Sequence, residues 1–175
     1  MLIGSLAWEE KRKSLEQLLG ALRSEPALDD VTITVTGGGF RAPELEAAFP
    51  SVEFHAYVDD LQQLMHDSRL GIIYEPVGGG FKMKTLNYVF SGVPLMIFDG
   101  SAVGLGPVDQ RSWHLRASNL NELVRKVVGV IDDPERLNEL RQASIEQCDR
   151  VFGENALRDF RDAFSEVFEG STRSL

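Results

Sequence analysis

The sequence predicts an α/β fold: one Rossmann-like domain whose parallel sheet of about six strands carries helices on both faces. Three observations lead there. Strand-like and helix-like periods alternate along nearly the whole chain. Two short runs are apolar at every position, as strands covered on both faces are. Glycine-rich loops follow strands, which is where open parallel sheets place their ligands.

The first strand is expected over 2–6. Leu15, Leu18, Leu19 and Leu22 then recur with helical period, so an amphipathic helix is expected over 9–23, stopped by Pro26. A β-branched run over 31–35 leads into Gly37, Gly38 and Gly39, a second strand ending in a glycine turn. A short acidic helix follows over 44–48. Over 52–58, Val52, Phe54, Ala56 and Val58 alternate with polar or aromatic neighbours, the pattern of a half-buried strand near a sheet edge. Asp59 and Asp60 cap a helix carrying Leu61, Leu64 and Met65.

The continuous apolar runs over 70–74 and 94–98 belong at the sheet centre. Between them, Gly78, Gly79 and Gly80 precede a helix read over 81–90 that ends at Gly92 and Pro94. Asn119 and Glu122 have capping-box spacing ahead of a helical stripe from Leu120 to Ile131. Asp133 and Pro134 start another helix. A final helix over 155–169 gathers Leu157, Phe160, Phe164, Val167 and Phe168 on one side, and 170–175 reads as a frayed tail. Residues 1–169 thus form one domain without a dividing linker.

Composition excludes several classes. The 175 residues carry 18 Lys and Arg against 27 Asp and Glu, a formal −9. No broad positive field exists to attract nucleic acid, which is not expected as a partner. Cys148 is alone, so no intrachain disulfide forms and a reducing, cytoplasmic setting is favoured. No apolar run nears the roughly 20 residues that span a bilayer, so no membrane-crossing segment is expected.

Motif chemistry is concentrated in one place. The first strand-to-helix turn lacks a dinucleotide-binding G-x-G-x-x-G, and neither a phosphate-loop lysine motif nor a nucleophile elbow is present. His55, His66 and His114 have no metal-ligand spacing and read as ordinary surface or core residues. Trp8 and Trp113, each beside a strand, read as core. The loop over 77–80 is different. Flexible glycines let backbone N–H groups approach a phosphate, and Lys82 and Lys84 fall in the first turn of the helix read over 81–90. Cations at that end oppose the helix dipole unless an anion offsets them, which points to a bound diphosphate; two solvent-facing lysines fit the spacing equally well.

The segment over 80–94 resembles group 1 glycosyltransferases of the GT-B fold, the retaining GT4-like kind. In these a glycine-rich loop and a lysine precede a helix that ends in a small residue, glycine and proline. The likeness extends to Leu2-Ile3-Gly4-Ser5-Leu6 with Trp8, to the strand and glycine turn over 31–39, and to the strand over 52–58, so it covers nearly the whole chain. It implies the carboxyl-terminal, sugar-nucleotide-binding half of such an enzyme. Lys84 then holds the donor diphosphate and stabilises its departure, with Lys82 as helper and Gly78, Gly79 and Gly80 as backbone donors. Tyr57 and Val58 occupy the place of the nucleotide base, and Lys11 or Lys13 that of a second cation. Gly4, Ser5, Thr85 and Asn87 complete the donor site. Apart from the resemblance, Glu75 and Asp99 stand near two central strand ends, and Glu75 is read as a candidate catalytic carboxylate.

The sequence also departs from that pattern. The family's two glutamates correspond to Gly79 and Asn87, and an amide offers one acceptor where a carboxylate offers two and a charge, so ribose recognition is expected to be weaker or different. The resemblance implies no cofactor and no metal. It implies a nucleoside-diphosphate sugar as substrate and, as partner, an amino-terminal domain that receives a glycan or lipid-linked acceptor. The abrupt start at Met1 fits a chain cut at that boundary, and activity is not expected without the other half. The alternative is a non-catalytic interaction or regulatory module that keeps the fold and has lost donor binding.

Overall fold

The computed structural model describes residues 1–4, 6–38, 41–105 and 113–152; the side chains of 148, 149, 151 and 152 are outside the description. Ser5, Gly39, the helix read over 155–169 with its aromatic stripe, and the tail over 170–175 lie outside the described residues. The strands are β1 (Leu2–Ile3), β2 (Ile33–Thr36), β3 (Val52–His55), β4 (Gly71–Ile73), β5 (Leu95–Phe98) and β6 (His114–Ala117). The helices are α1 (Glu9–Arg23), α2 (Pro43–Ala48), α3 (Leu61–His66), α4 (Lys84–Phe90), α5 (Leu120–Ile131) and α6 (Pro134–Phe152).

All six strands pair in parallel in the order β3-β2-β1-β4-β5-β6. The order reverses between β1 and β4, so this is a doubly wound sheet with its switch point at those two strands. Period-two alternation fills both faces. Leu2, Ile72 and Met96 join Leu18, Leu19 and Leu22 of α1 and Leu123 and Val127 of α5 in one core. Ile73, Leu95 and Ile97 join Met65 of α3 and Tyr88 and Val89 of α4 in the other. A chain burying both faces of its central strands needs apolar residues at every position there, which explains the two continuous runs. β3 and β6 are the edge strands, and in β3 Val52 is buried while Glu53 and His55 are exposed.

Several boundaries differ from the sequence expectation. β2 starts at Ile33, not 31, because the Val31 N–H closes a turn on the Leu28 carbonyl. The β3 ladder ends at His55, three positions short of Val58. α4 begins at Lys84, since Thr85 and Leu86 N–H groups bond the carbonyls of Lys82 and Met83 in a preceding turn. Lys82 therefore lies in the loop and only Lys84 is in the first helical turn. β6 was not placed from the sequence: it is four residues long and includes His114 and Arg116. The α5 cap works as a relay, with Asn119 Oδ1 accepting from the Glu122 N–H at 2.9 Å while Glu122 Oε2 accepts from the Ser118 N–H at 2.8 Å.

Candidate functional site

Parallel strands all point their carboxyl ends at one edge of the sheet, and at the switch point two of them deliver the parts of a charged cluster. β1 ends at Ile3, and Gly4 follows. β4 ends at Ile73, and two residues on stands Glu75. Its backbone is clamped by the buried Ser101 hydroxyl, which accepts from the Glu75 N–H at 2.9 Å and donates to the Glu75 carbonyl at 3.0 Å.

Three lysines converge on that carboxylate from three segments. Lys84, opening α4, donates to Glu75 Oε1 at 2.5 Å and to the Ile3 carbonyl at 2.6 Å. Lys82, in the glycine loop, lies 3.4 Å from Glu75 Oε2, and Lys11, on α1, lies 3.7 Å from Oε1. Side chains of Glu75, Lys82 and Lys84 are only 11%, 10% and 16% exposed, whereas Lys11 is 39% exposed. Burial alone would raise the Glu75 carboxyl; the hydrogen bond from Lys84 and the charges of Lys84, Lys11 and Lys82 outweigh it and hold the group below its ordinary value. Burial pushes the Lys84 ammonium down as well, Lys11 and Lys82 repel it in the same direction, and Glu75 offsets only part of this. One carboxylate does not neutralise three ammonium groups. The site has surplus positive charge in a poorly solvated place, which is the condition an anion relieves.

Glycines keep the cluster compact. A Cβ on Gly4 would stand 3.4 Å from Lys84 Nζ, in van der Waals contact with the ammonium. Gly78 and Gly80 have φ of +102° and +78°, values that favour glycine, and with Gly79 they are exposed. Beside the cluster a cavity of about 330 Å³ is lined by Gly4, Gly38, Tyr57, Val58, Leu61 and Lys84, among others. Tyr57 is 75% exposed there, an aromatic face open to a planar ligand.

The remaining expected residues fall elsewhere. Lys13 pairs with Glu9 at 2.5 Å on the outer side of α1, so Lys11 is the cation that this helix brings to the cluster. Thr85 is buried and its hydroxyl has no hydrogen-bond partner; Asn87 is exposed on α4. Trp113 is core, packed against His114 with ring centroids 4.4 Å apart, but Trp8 is 66% exposed at the start of α1, contrary to the core reading. His55 and His66 are at the surface, while His114 is buried with its Nδ1 unpartnered. The Ser101 clamp and the Ile3 carbonyl were not found from the sequence, because neither a lone serine nor a backbone oxygen has a sequence signature. Among the described residues no group of three or more His, Cys, Asp and Glu is arranged to hold a metal ion. Among the same residues no helix is long and apolar enough to cross a membrane.

A second cavity, about 360 Å³, opens at the opposite edge of the sheet between Met1, Leu28, Asp30, Asp67 and Arg69. Its one cationic side chain is already committed, since Arg69 donates to the Ile131 carbonyl at 3.1 Å and to Asp132 at 2.7 Å. With two carboxylates on its wall, that cavity is unsuited to an anion.

Fold and cluster together define a doubly wound α/β domain with a cationic site at its switch point. The family model described as glycosyl transferases group 1 matches residues 1–133, and the chain belongs to that family. Among solved structures, Anabaena HepE in complex with UDP is similar over 93% of this chain and 48% of its own, with TM-score 0.70 and 17% identity. Sucrose-phosphate synthase from Thermosynechococcus elongatus is similar over 97% of this chain and 46% of its own, with TM-score 0.70 and 15% identity. The pneumococcal O-GlcNAc transferase GtfA, in complex with UDP and GlcNAc, matches over 95% and 35%, with TM-score 0.64 and 17% identity. The chain therefore spans half or less of the length of these proteins. At such identities the likeness establishes the fold. No curated protein sequence matches the chain.

Proposed function

We propose that this chain is the donor-binding domain of a glycosyltransferase that moves a sugar from a nucleoside-diphosphate sugar to an acceptor. The observation that carries the reading is the convergence of Lys11, Lys82 and Lys84 on one carboxylate at the switch point of the sheet. Family membership and the complexes of HepE with UDP and with UDP-glucose support it.

In this reading the diphosphate lies against the lysines and the glycine loop over 78–80, and the base lies along Tyr57 and Val58. When the bond between the sugar's anomeric carbon and the diphosphate oxygen breaks, negative charge grows on that oxygen. Lys84 is suited to meet it: two of its three N–H donors are fixed on Glu75 and Ile3, so the third has a defined direction and needs little reorganisation. Glu75, held ionised among cations, serves as a counter-ion and not as a proton-transfer group. Asn87 takes the place of a carboxylate in ribose recognition and makes it weaker or different. The acceptor, a glycan or a lipid-linked sugar, is received by a separate amino-terminal domain, and without it the chain binds donor but does not turn over.

Calorimetric titration of the chain with UDP, GDP, ADP and CDP tests the reading. Saturable binding of one of them, reduced at least tenfold in Lys84→Ala, is the expected result. A folded chain that binds none would instead favour an interaction module that has lost its donor.

A further inference from the structure

The three lysines are not equally committed. Lys84 is locked between Ile3 and Glu75 by short hydrogen bonds. Lys82 has one long bond to the Gly79 carbonyl at 3.4 Å, and Lys11 approaches Glu75 only at ion-pair distance. Glu75, by contrast, is held firmly, with its main chain clamped at both N–H and carbonyl by Ser101. A carboxylate on a clamped main chain thus stands inside a nest of cations, one hydrogen-bonded to it and two held at ion-pair distance, Lys82 at 3.4 Å and Lys11 at 3.7 Å. Formally the cluster carries +2: three ammonium groups less one carboxylate.

We propose that Glu75 is a resident counter-ion that sets how strongly this site holds its product relative to its substrate, an inference that rests on the donor-binding reading above. The chemistry of the two ligands makes the distinction. The diphosphate of a sugar nucleotide is esterified at both ends and carries two negative charges. Once the sugar has left, the free nucleoside diphosphate gains a terminal phosphate whose second ionisation lies near pH 6, so at pH 7.5 it carries close to three. Attraction scales with the product of charges, so every unit of positive charge at the site favours the product more than the substrate. A site of three unopposed lysines would hold the spent nucleotide hardest of all. Glu75 removes one unit from that field at a fixed position and leaves Lys84 oriented, so it limits product retention while the leaving group is still stabilised.

This gives a charge ladder. Lys11→Gln lowers the cluster to +1 by changing a half-exposed side chain of α1 that donates no hydrogen bond in the fold. Wild type stands at +2, and Glu75→Gln raises it to +3 while keeping an oxygen to accept from Lys84. UDP and UDP-glucose are titrated into each chain at pH 7.5 and low salt, and the quantity read is the ratio of their dissociation constants. The expected result is a preference for UDP over UDP-glucose that climbs at each step, by about threefold to tenfold per unit charge, with Glu75→Asp restored to the wild-type ratio. A ratio that stays flat or falls along the ladder overturns the proposal. If Glu75→Gln does not fold, the step from Lys11→Gln to wild type decides by the same criterion. Failure of wild type to bind either ligand, or inorganic pyrophosphate used as a base-free probe, strikes the donor-binding reading and takes this inference with it; binding with a flat ratio strikes this inference alone.

Discussion

In the donor-binding reading Lys84 has two separable tasks, and they predict different losses. Its hydrogen bonds hold together the ends of β1 and β4, so Lys84→Ala leaves the Ile3 carbonyl and the Glu75 carboxylate short of a donor. Urea unfolding should show a destabilisation of about 1–3 kcal/mol along with the lost nucleotide binding. Lys11→Ala should weaken binding and leave stability within about 0.5 kcal/mol, because that side chain is exposed and loosely held. His114 gives a pH signature of a different kind. Burial, helped by the Arg116 charge, holds the imidazole at a pKa of about 4 against an ordinary 6.5. Between those values the unfolded chain binds the proton and the folded chain does not, so stability falls as pH drops from 6.5 toward 4, by roughly 3 kcal/mol at the lower end. Unfolding curves for His114→Leu should be flatter across that window. The contribution of Glu75 is separate: its depressed carboxyl stabilises the fold above 4.5 and loses that effect only as pH falls through its lower folded value.

At the level of elements, close packing between β4 and α4 is the most demanding contact that supports the site. A Cβ on Gly71 would meet the fully buried Tyr88 ring at 2.4 Å, so Gly71→Ala should displace α4, and Lys84 with it. A loss of about 1–3 kcal/mol and a fall in nucleotide affinity are expected together, by unfolding and titration of the same variant. Elements with a strong period or an explicit cap were legible in the sequence: α1 and α5 have the bounds that their leucine and valine stripes implied, and the edge position of β3 followed from its half-buried alternation. What was not legible depended on tertiary structure. β6 takes its place through pairing with β5, not through its own composition, and the start of α4 is set by the turn at Lys82 and Met83. The lysines were visible as residues, but that they share Glu75 with Lys11, far away on α1, follows only from the order of strands in the sheet.

For the whole molecule, a net charge of −9 contrasts with the cationic cluster of Lys11, Lys82 and Lys84 among the described residues. In the donor-binding reading anionic ligands are recognised locally, and binding should weaken with salt. It should also be linked to protons. Free Lys84 has a depressed pKa, and an anion beside it raises that value again, so binding takes up protons at alkaline pH and affinity falls as pH rises toward the ordinary lysine value of 10.5. Titrations in buffers of different ionisation enthalpy should show net uptake. The most direct test of where the ligand sits is NMR of side-chain ammonium and backbone amide signals during titration with UDP. Saturable shifts at Lys11, Lys82, Lys84 and the amides of 78–80, spreading to Tyr57 and Val58, are the expected result. Saturable shifts centred on Arg69, Asp30 and Asp67 at the opposite edge of the sheet would contradict the assignment of the donor site.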